Sequence, residues 1–219
     1  MYKPLRLNLL AIEASLRDVQ ANFAAINETL ATPRDPLSDR VLAQMLLGYD
    51  FVDWLLSQRI DPFASGQSRH LLELNFLVLC GRGSARRHEC AQQMDATEAH
   101  FYSHGDGGVE ALVAWVRGLR GETVWRRAAS SYIHILSRPQ LYLEGNHRTG
   151  ALIMSWMLAV EGEPPFVLSV DNAKAYFDPS TLVKNARKHT LSMLLKRPKL
   201  VKRFAGLLKT DGEVEHVLA

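Results

Sequence analysis

The residues best suited to chemistry lie in the ten-residue stretch Leu141–Gly150, LYLEGNHRTG, followed at once by the apolar run ALIMSWMLAV. Gly145 permits a sharp turn, and the spacing predicts a helix from about His147 to Val160. The first turn of a helix has unpaired N–H groups and the positive end of the helix dipole, which together attract an anion. Arg148 adds a guanidinium fork suited to phosphate or carboxylate. Glu144, one residue ahead of the turn, is a carboxylate that could hold a divalent cation shared with phosphate oxygens. An acid, a glycine turn and an arginine at a helix start point to a metal–phosphate site. Asn146, His147, Thr149 and Gly150 complete the candidate ligand-binding set with Gly145 and Arg148.

Across these residues the chain resembles the Fic/Doc (Fido) family, whose motif reads H-x-F-x-[DE]-G-N-G-R-x-x-R. Glu144, Gly145, Asn146 and Arg148 match it, and Tyr142 substitutes for the phenylalanine. Gln140 stands at the position of the family's catalytic histidine, His147 replaces the last glycine, and Ala151 replaces the second arginine. The segment Glu163-Pro164-Pro165-Phe166-Val167 is similar to a stretch that follows the motif helix in many relatives. The resemblance spans about residues 71–183. It implies an all-α, Fido-type helical bundle with a short β-hairpin flap and an N-terminal helical extension. The implied domain order is an extension over 1–65, a core over 66–183 and a basic C-terminal segment over 184–219.

The same resemblance implies Mg²⁺ and ATP or another nucleotide as cofactors. Family members mostly transfer AMP from ATP to a protein hydroxyl, while others move phosphate, UMP or phosphocholine. Glu144 would hold the metal, Gly145 and Asn146 would cradle phosphate, and Arg148 would clamp it. Gln140 cannot take a proton from a hydroxyl near neutral pH, and losing a positioned base costs about 10²–10⁴ in rate. It could still orient a hydroxyl or a water. Ala151 removes a clamp on the terminal phosphate. His147 has a precedent in Doc-type members, which carry lysine there and act as kinases; the alternative is a buried structural histidine. His134 is a candidate replacement base, with a plain surface histidine as the alternative. The reading is a phosphate-ligand site with altered or weak nucleotidyl or phosphoryl transfer. The alternative is an inactive domain that serves as a ligand- or protein-binding module.

These residues need helices to position them. Leu9, Ile12, Leu16, Val19, Phe23, Ile26 and Leu30 recur at three- and four-residue steps, predicting one long amphipathic helix. It packs on its own domain or forms a homodimer seam. Ser38 is the predicted cap of a helix bearing Val41, Met45, Tyr49, Val52 and Leu56, and Ser68 that of a helix reaching Cys80. Residues 86–102 occupy the place of the flap, with strands expected over 88–94 and 96–102 and a protein target able to pair there. Their weak periodicity also fits a short helix with a polar face. Helices follow over Val109–Val116 and Thr123–Ser137, ended by Pro139. After the motif helix, Asp171 is the expected cap of a short helix, and Asp178-Pro179-Ser180 of another.

Composition sets the outer bounds. The 219 residues are 47% hydrophobic and 22% charged, as in an ordinary globular protein. Two cysteines in no metal-ligand pattern, with no leader-like N-terminus, give a cytoplasmic expectation. No apolar run approaches the ~18 residues of a membrane span. Residues 184–209 carry nine Lys/Arg and no acid, with Leu200, Val201, Phe204, Leu207 and Leu208 on one helical face. Such a segment could meet nucleic acid or an anionic membrane surface. The net charge of only +3 argues against nucleic acid and for a solvated face.

Overall fold

The structure is a computed structural model that describes residues 6–210 and 214–218. It is all-α apart from one antiparallel pair of two-residue strands, β1 (Arg6–Leu7) and β2 (Val217–Leu218). In chain order the helices are α1 (Leu9–Ala21), α2 (Phe23–Thr29), α3 (Asp39–Ser57), α4 (Arg69–Cys80), α5 (Ser84–Glu89), α6 (Ala91–Phe101), α7 (Val109–Gly118), α8 (Val124–Leu136), α9 (Asn146–Ala159), α10 (Ala173–Lys184) and α11 (Leu191–Thr210).

The motif helix α9 lies at the centre, against α3, α4 and α8, while α11 covers the outer side of α8. Residues 149–159 of α9 are buried all round, which suits a sequence with apolar side chains on every face. One core runs from Leu7 and Ile12 through Tyr49, Leu71, Tyr132 and Leu152 to Phe204 and Leu208. Burying each such side chain contributes about 1.5–3 kcal/mol. The Phe166 carbonyl accepts from the Tyr49 hydroxyl at 2.8 Å and from Ser155 Oγ at 2.7 Å, pinning the loop after α9 to α3 and α9.

Several expected elements are as the sequence predicts. Ser38 Oγ accepts from the Val41 amide at the start of α3. Ser68 occupies the N-cap position of α4 but makes no capping bond with its hydroxyl. Others differ. The expected helix over 9–30 is broken at Asn22, whose side-chain amide bonds the Asp18 carbonyl and carboxylate, both at 2.9 Å. A side chain that competes for backbone partners ends a helix. Past the break, Phe23, Ile26 and Leu30 pack with Val19 and Ala173 in a second small cluster. Ile12, Leu16 and Val19 are buried inside the chain, so the stripe is not left exposed as a homodimer seam.

The β-hairpin flap over 86–102 is also corrected. α5 and α6 fill that span, and no strand edge is offered there to an extended target. The segment is rich in Ala, Gln, Glu and Met, which favour helix, and lacks alternating β-branched residues. Met94, Thr97 and Phe101 give α6 its inward face at three- and four-residue steps. Likewise, the two short helices expected after Asp171 are the single helix α10, which starts after Asn172 and contains Pro179. Proline forfeits one backbone bond, yet buried Tyr176, Pro179, Ser180 and Val183 hold the helix continuous.

Candidate functional site

The loop 137–145 joins α8 to α9, and its shape is set by buried amides. Asn146, 5% exposed, accepts from the Tyr142 amide at 3.0 Å and donates to the Tyr142 carbonyl at 2.7 Å. Tyr142 is anchored in turn: its hydroxyl donates to the Leu71 carbonyl at 2.8 Å, and its ring stacks on Phe101. Asn75 of α4, fully buried, donates from Nδ2 to the Glu144 carbonyl at 2.9 Å and to Thr149 Oγ1 at 3.0 Å. Gly145 takes a left-handed φ of 74°, and a Cβ there would stand 2.9 Å from Asn75 Nδ2. Both facts demand glycine.

The result is that α9 begins abruptly, with no side chain capping its first-turn amides. The residues of that first turn line a cleft of about 460 Å³ together with Asp35, Gln140, Leu143, Glu144, Gly145 and Lys184. Arg148 donates through Nη1 to the Val78 carbonyl at 2.6 Å, which fixes the guanidinium beside the turn. Burial and Arg40 lower its pKa while Glu144 opposes them; a guanidinium remains charged regardless. Lys184, at the end of α10, is a second cation on the same cleft. Glu144 is exposed at the rim and accepts from Gln93 Nε2 of α6 at 3.0 Å.

His147 lines the cleft but is tied inward. Ser180 Oγ donates to the Tyr176 carbonyl at 2.5 Å, so the Tyr132 hydroxyl must supply the proton in its 2.8 Å bond to Ser180. The Tyr132 oxygen is then the acceptor for His147 Nδ1–H at 3.1 Å. His147 Nε2 keeps a bare lone pair, buried and without a partner. Burial first, then Arg34 and Lys184, push the ring's pKa down to about 3. His147 is therefore neutral at physiological pH, and too weak a base to deprotonate a hydroxyl efficiently.

The remaining candidates divide sharply. Gln140 borders the cleft, yet its Nε2 donates to the Leu136 carbonyl at 2.9 Å, finishing α8. The Asn146 side chain is spent on the loop. Thr149 and Gly150 are corrected as ligand residues, since both are buried behind the first turn. Thr149 serves Asn75, and a Cβ at Gly150 would come 2.8 Å from the Tyr132 ring, where α8 and α9 approach. Ala151 is in the core and does not line the cleft. His134 is corrected as a surface residue: it is buried and does not line the cleft, with its ring stacked 5.4 Å from that of Trp115. Burial, Lys188 and Arg197 hold its pKa near about 3.

Asn75, Asp35, Gln93 and Lys184 are participants that sequence reading missed. Only Asn75 left a signal, as a lone amide inside the apolar run LLELNFLVLC. Two larger hollows, of about 580 and 620 Å³, lie beside Trp156 and between α10 and α11. The second includes the start of α11, where Thr190 Oγ1 already accepts from the Met193 amide at 3.3 Å, whereas the first turn of α9 on the smaller cleft has no side-chain cap.

No protein-family model and no curated protein matches the chain. Among solved structures, the crystal structure of a Fic domain containing signaling protein from Bacteroides thetaiotaomicron aligns with it. The alignment covers 97% of this chain and 95% of that one, at 14% identity and a TM-score of 0.45.

Proposed function

We propose that the cleft at the start of α9 binds a phosphate-bearing ligand, with a Mg-nucleotide as the leading class, and that any transfer to a protein hydroxyl is slow. The observation that carries this reading is convergence: the residues of an uncapped first turn, Arg148 among them, and Lys184 all line one cleft. Amides and a helix dipole favour an anion, and two cations lining the cleft match a multiply charged one.

The donor set also fits Mg²⁺. Among the described residues no three His, Cys, Asp or Glu gather to cage an ion. Mg²⁺ rarely asks for that; it usually takes one or two carboxylates with substrate phosphates and water. Glu144, with Asp35 on the same cleft, supplies such carboxylates. A bound ion would neutralise phosphate charge and orient the group, while Arg148 and the amides hold the oxygens. Slow transfer follows from the proton acceptors at hand. Gln140 has none of useful basicity, and His147 is held near pKa about 3.

The test is calorimetric titration with ATP, ADP and inorganic phosphate, with and without Mg²⁺. Arg148→Ala should weaken binding by about 1.5–3 kcal/mol, the worth of a charge-assisted bond. Absence of binding by any of these ligands would refute the site. Incubation with ATP labelled on the α- or γ-phosphate then separates the readings. Little label on protein is expected from the unmodified chain, and α-label transfer gained by Gln140→His would identify the missing base as the defect. Binding without transfer in either protein favours the alternative, a binding module.

A further inference from the structure

We infer that the outer face at the start of α11 docks on an anionic lipid bilayer. Leu191, Leu194 and Leu195 are 73%, 55% and 70% exposed, so three of the ten exposed large hydrophobic side chains among the described residues occupy five consecutive positions. They fall at i, i+3 and i+4, on one face of the helix. Their exposure does not mean that the helix is loose. Met193, Val201, Phe204 and Leu208 bury the opposite face in the core. The leucines are thus presented outward on a firmly seated rod.

Cations continue the same face. Lys199 and Arg203 extend the Leu191–Leu195 row at four-residue steps, Lys202 lies beside them, and Lys196 and Arg187 flank the groove next to it. No acid occurs from residue 184 to 209. A second copy of the chain is a poor occupant, since two such faces would bring like charges together. A partner helix would need an apolar stripe over several turns, but here the exposed leucines end at Leu195 and the outward positions beyond are basic or small. Nucleic acid would leave the leucines in water. A bilayer suits both parts, because a short apolar tip enters the acyl boundary while the surrounding cations remain among acidic headgroups. No described helix is long and apolar enough to span it, so the contact is peripheral.

The experiment is vesicle co-sedimentation of the full chain. One set of vesicles is phosphatidylcholine alone, and another contains roughly one-third phosphatidylserine. Binding is expected only to the acidic vesicles and should weaken as salt rises. Lys196→Gln/Lys199→Gln should reduce it by roughly 25-fold, each cation near the surface contributing about fivefold. Leu191→Ser/Leu195→Ser should reduce it at least about tenfold at unchanged charge. All four positions are exposed, so circular dichroism should report intact folds. Equal binding to both vesicle types, binding to neither, or leucine variants that bind as well as the parent would each overturn the proposal. So would light scattering that shows a dimer dissociated by the leucine substitutions, since the face would then belong to a second copy.

Discussion

The two ends of α9 differ in what holds them and in what they leave open. Its C-terminal part, from Leu152 to Ala159, is fixed by apolar burial against α3, α4 and α8. Its N-terminal turn is fixed by hydrogen bonds that come from outside it: Asn75 from α4, Asn146 folded back on Tyr142, and Tyr132 on His147. Hydrophobic packing is non-directional and tolerates small shifts, whereas hydrogen bonds set position and orientation within tenths of an ångström. The core therefore anchors the helix, and the polar end aims its free amides. A helix with an uncapped first turn is energetically wasteful, and the buried half offsets that waste.

This contrast can be broken at either end. Leu152→Ala, at a fully buried site, should cost about 2–5 kcal/mol of stability. Phosphate affinity should hardly change under conditions where the variant is still folded, as measured by urea denaturation beside calorimetry. A large loss of affinity would mean that the two ends are not separable.

Acid should act next, through His134 and His147. Both are held neutral in the fold at pKa about 3, against 6.5 for the ordinary ring. Between those values the unfolded chain binds more protons, so stability is full above pH 6.5 and drains as pH falls toward 3. At pH 5 each ring should cost about 2 kcal/mol relative to neutral pH. Urea midpoints from pH 7 down to 5 test this, and a flat profile would contradict the burial of both rings.

Asn146→Ala removes the loop's inward amide and should cost about 1–3 kcal/mol. Phosphate affinity should fall with it because the first-turn amides lose their aim. Gly145→Ala should cost roughly 1–2 kcal/mol for a left-handed residue with a Cβ, and the added Cβ would also press on Asn75 Nδ2 at 2.9 Å. It sharpens the comparison because it deletes none of the side chains that bond the turn and acts on the turn's backbone and on Asn75 alone. Weaker phosphate binding in that variant, under conditions where it is still folded, would show that turn geometry itself matters.

The sequence alone determined the material of the fold. Helical periodicity is a local property, so α3, α4, α7, α8 and α9 were legible from spacing and caps. The turn at Gly145, the helix start beside it and the cation at Arg148 were legible for the same reason. The all-α character followed, because almost every periodic segment repeats at three and four residues. What the sequence could not determine is where a side chain goes when two destinations compete. Asn22 could continue a helix or end it, Pro179 could break α10 or be carried within it, and 86–102 could form strands or helices. Each was decided by what packs on it.

At the site the same limit appears in the side chains. Asn146, Thr149 and Gly150 read as ligand residues by adjacency to the turn, yet at about 100° per residue neighbours along a helix face different ways. Thr149 and Gly150 look into the core, and Asn146 serves the loop. Asp35 and Lys184 come to the cleft from 113 residues before Arg148 and 36 residues after it. His134, close in sequence to Gln140, is kept off the cleft by its burial beside Trp115. Neighbourhood in the chain supplied the turn, and only the closing of α4, α8 and α10 around it decided which groups face the cleft, because that depends on how the helices rotate to bury their apolar faces together.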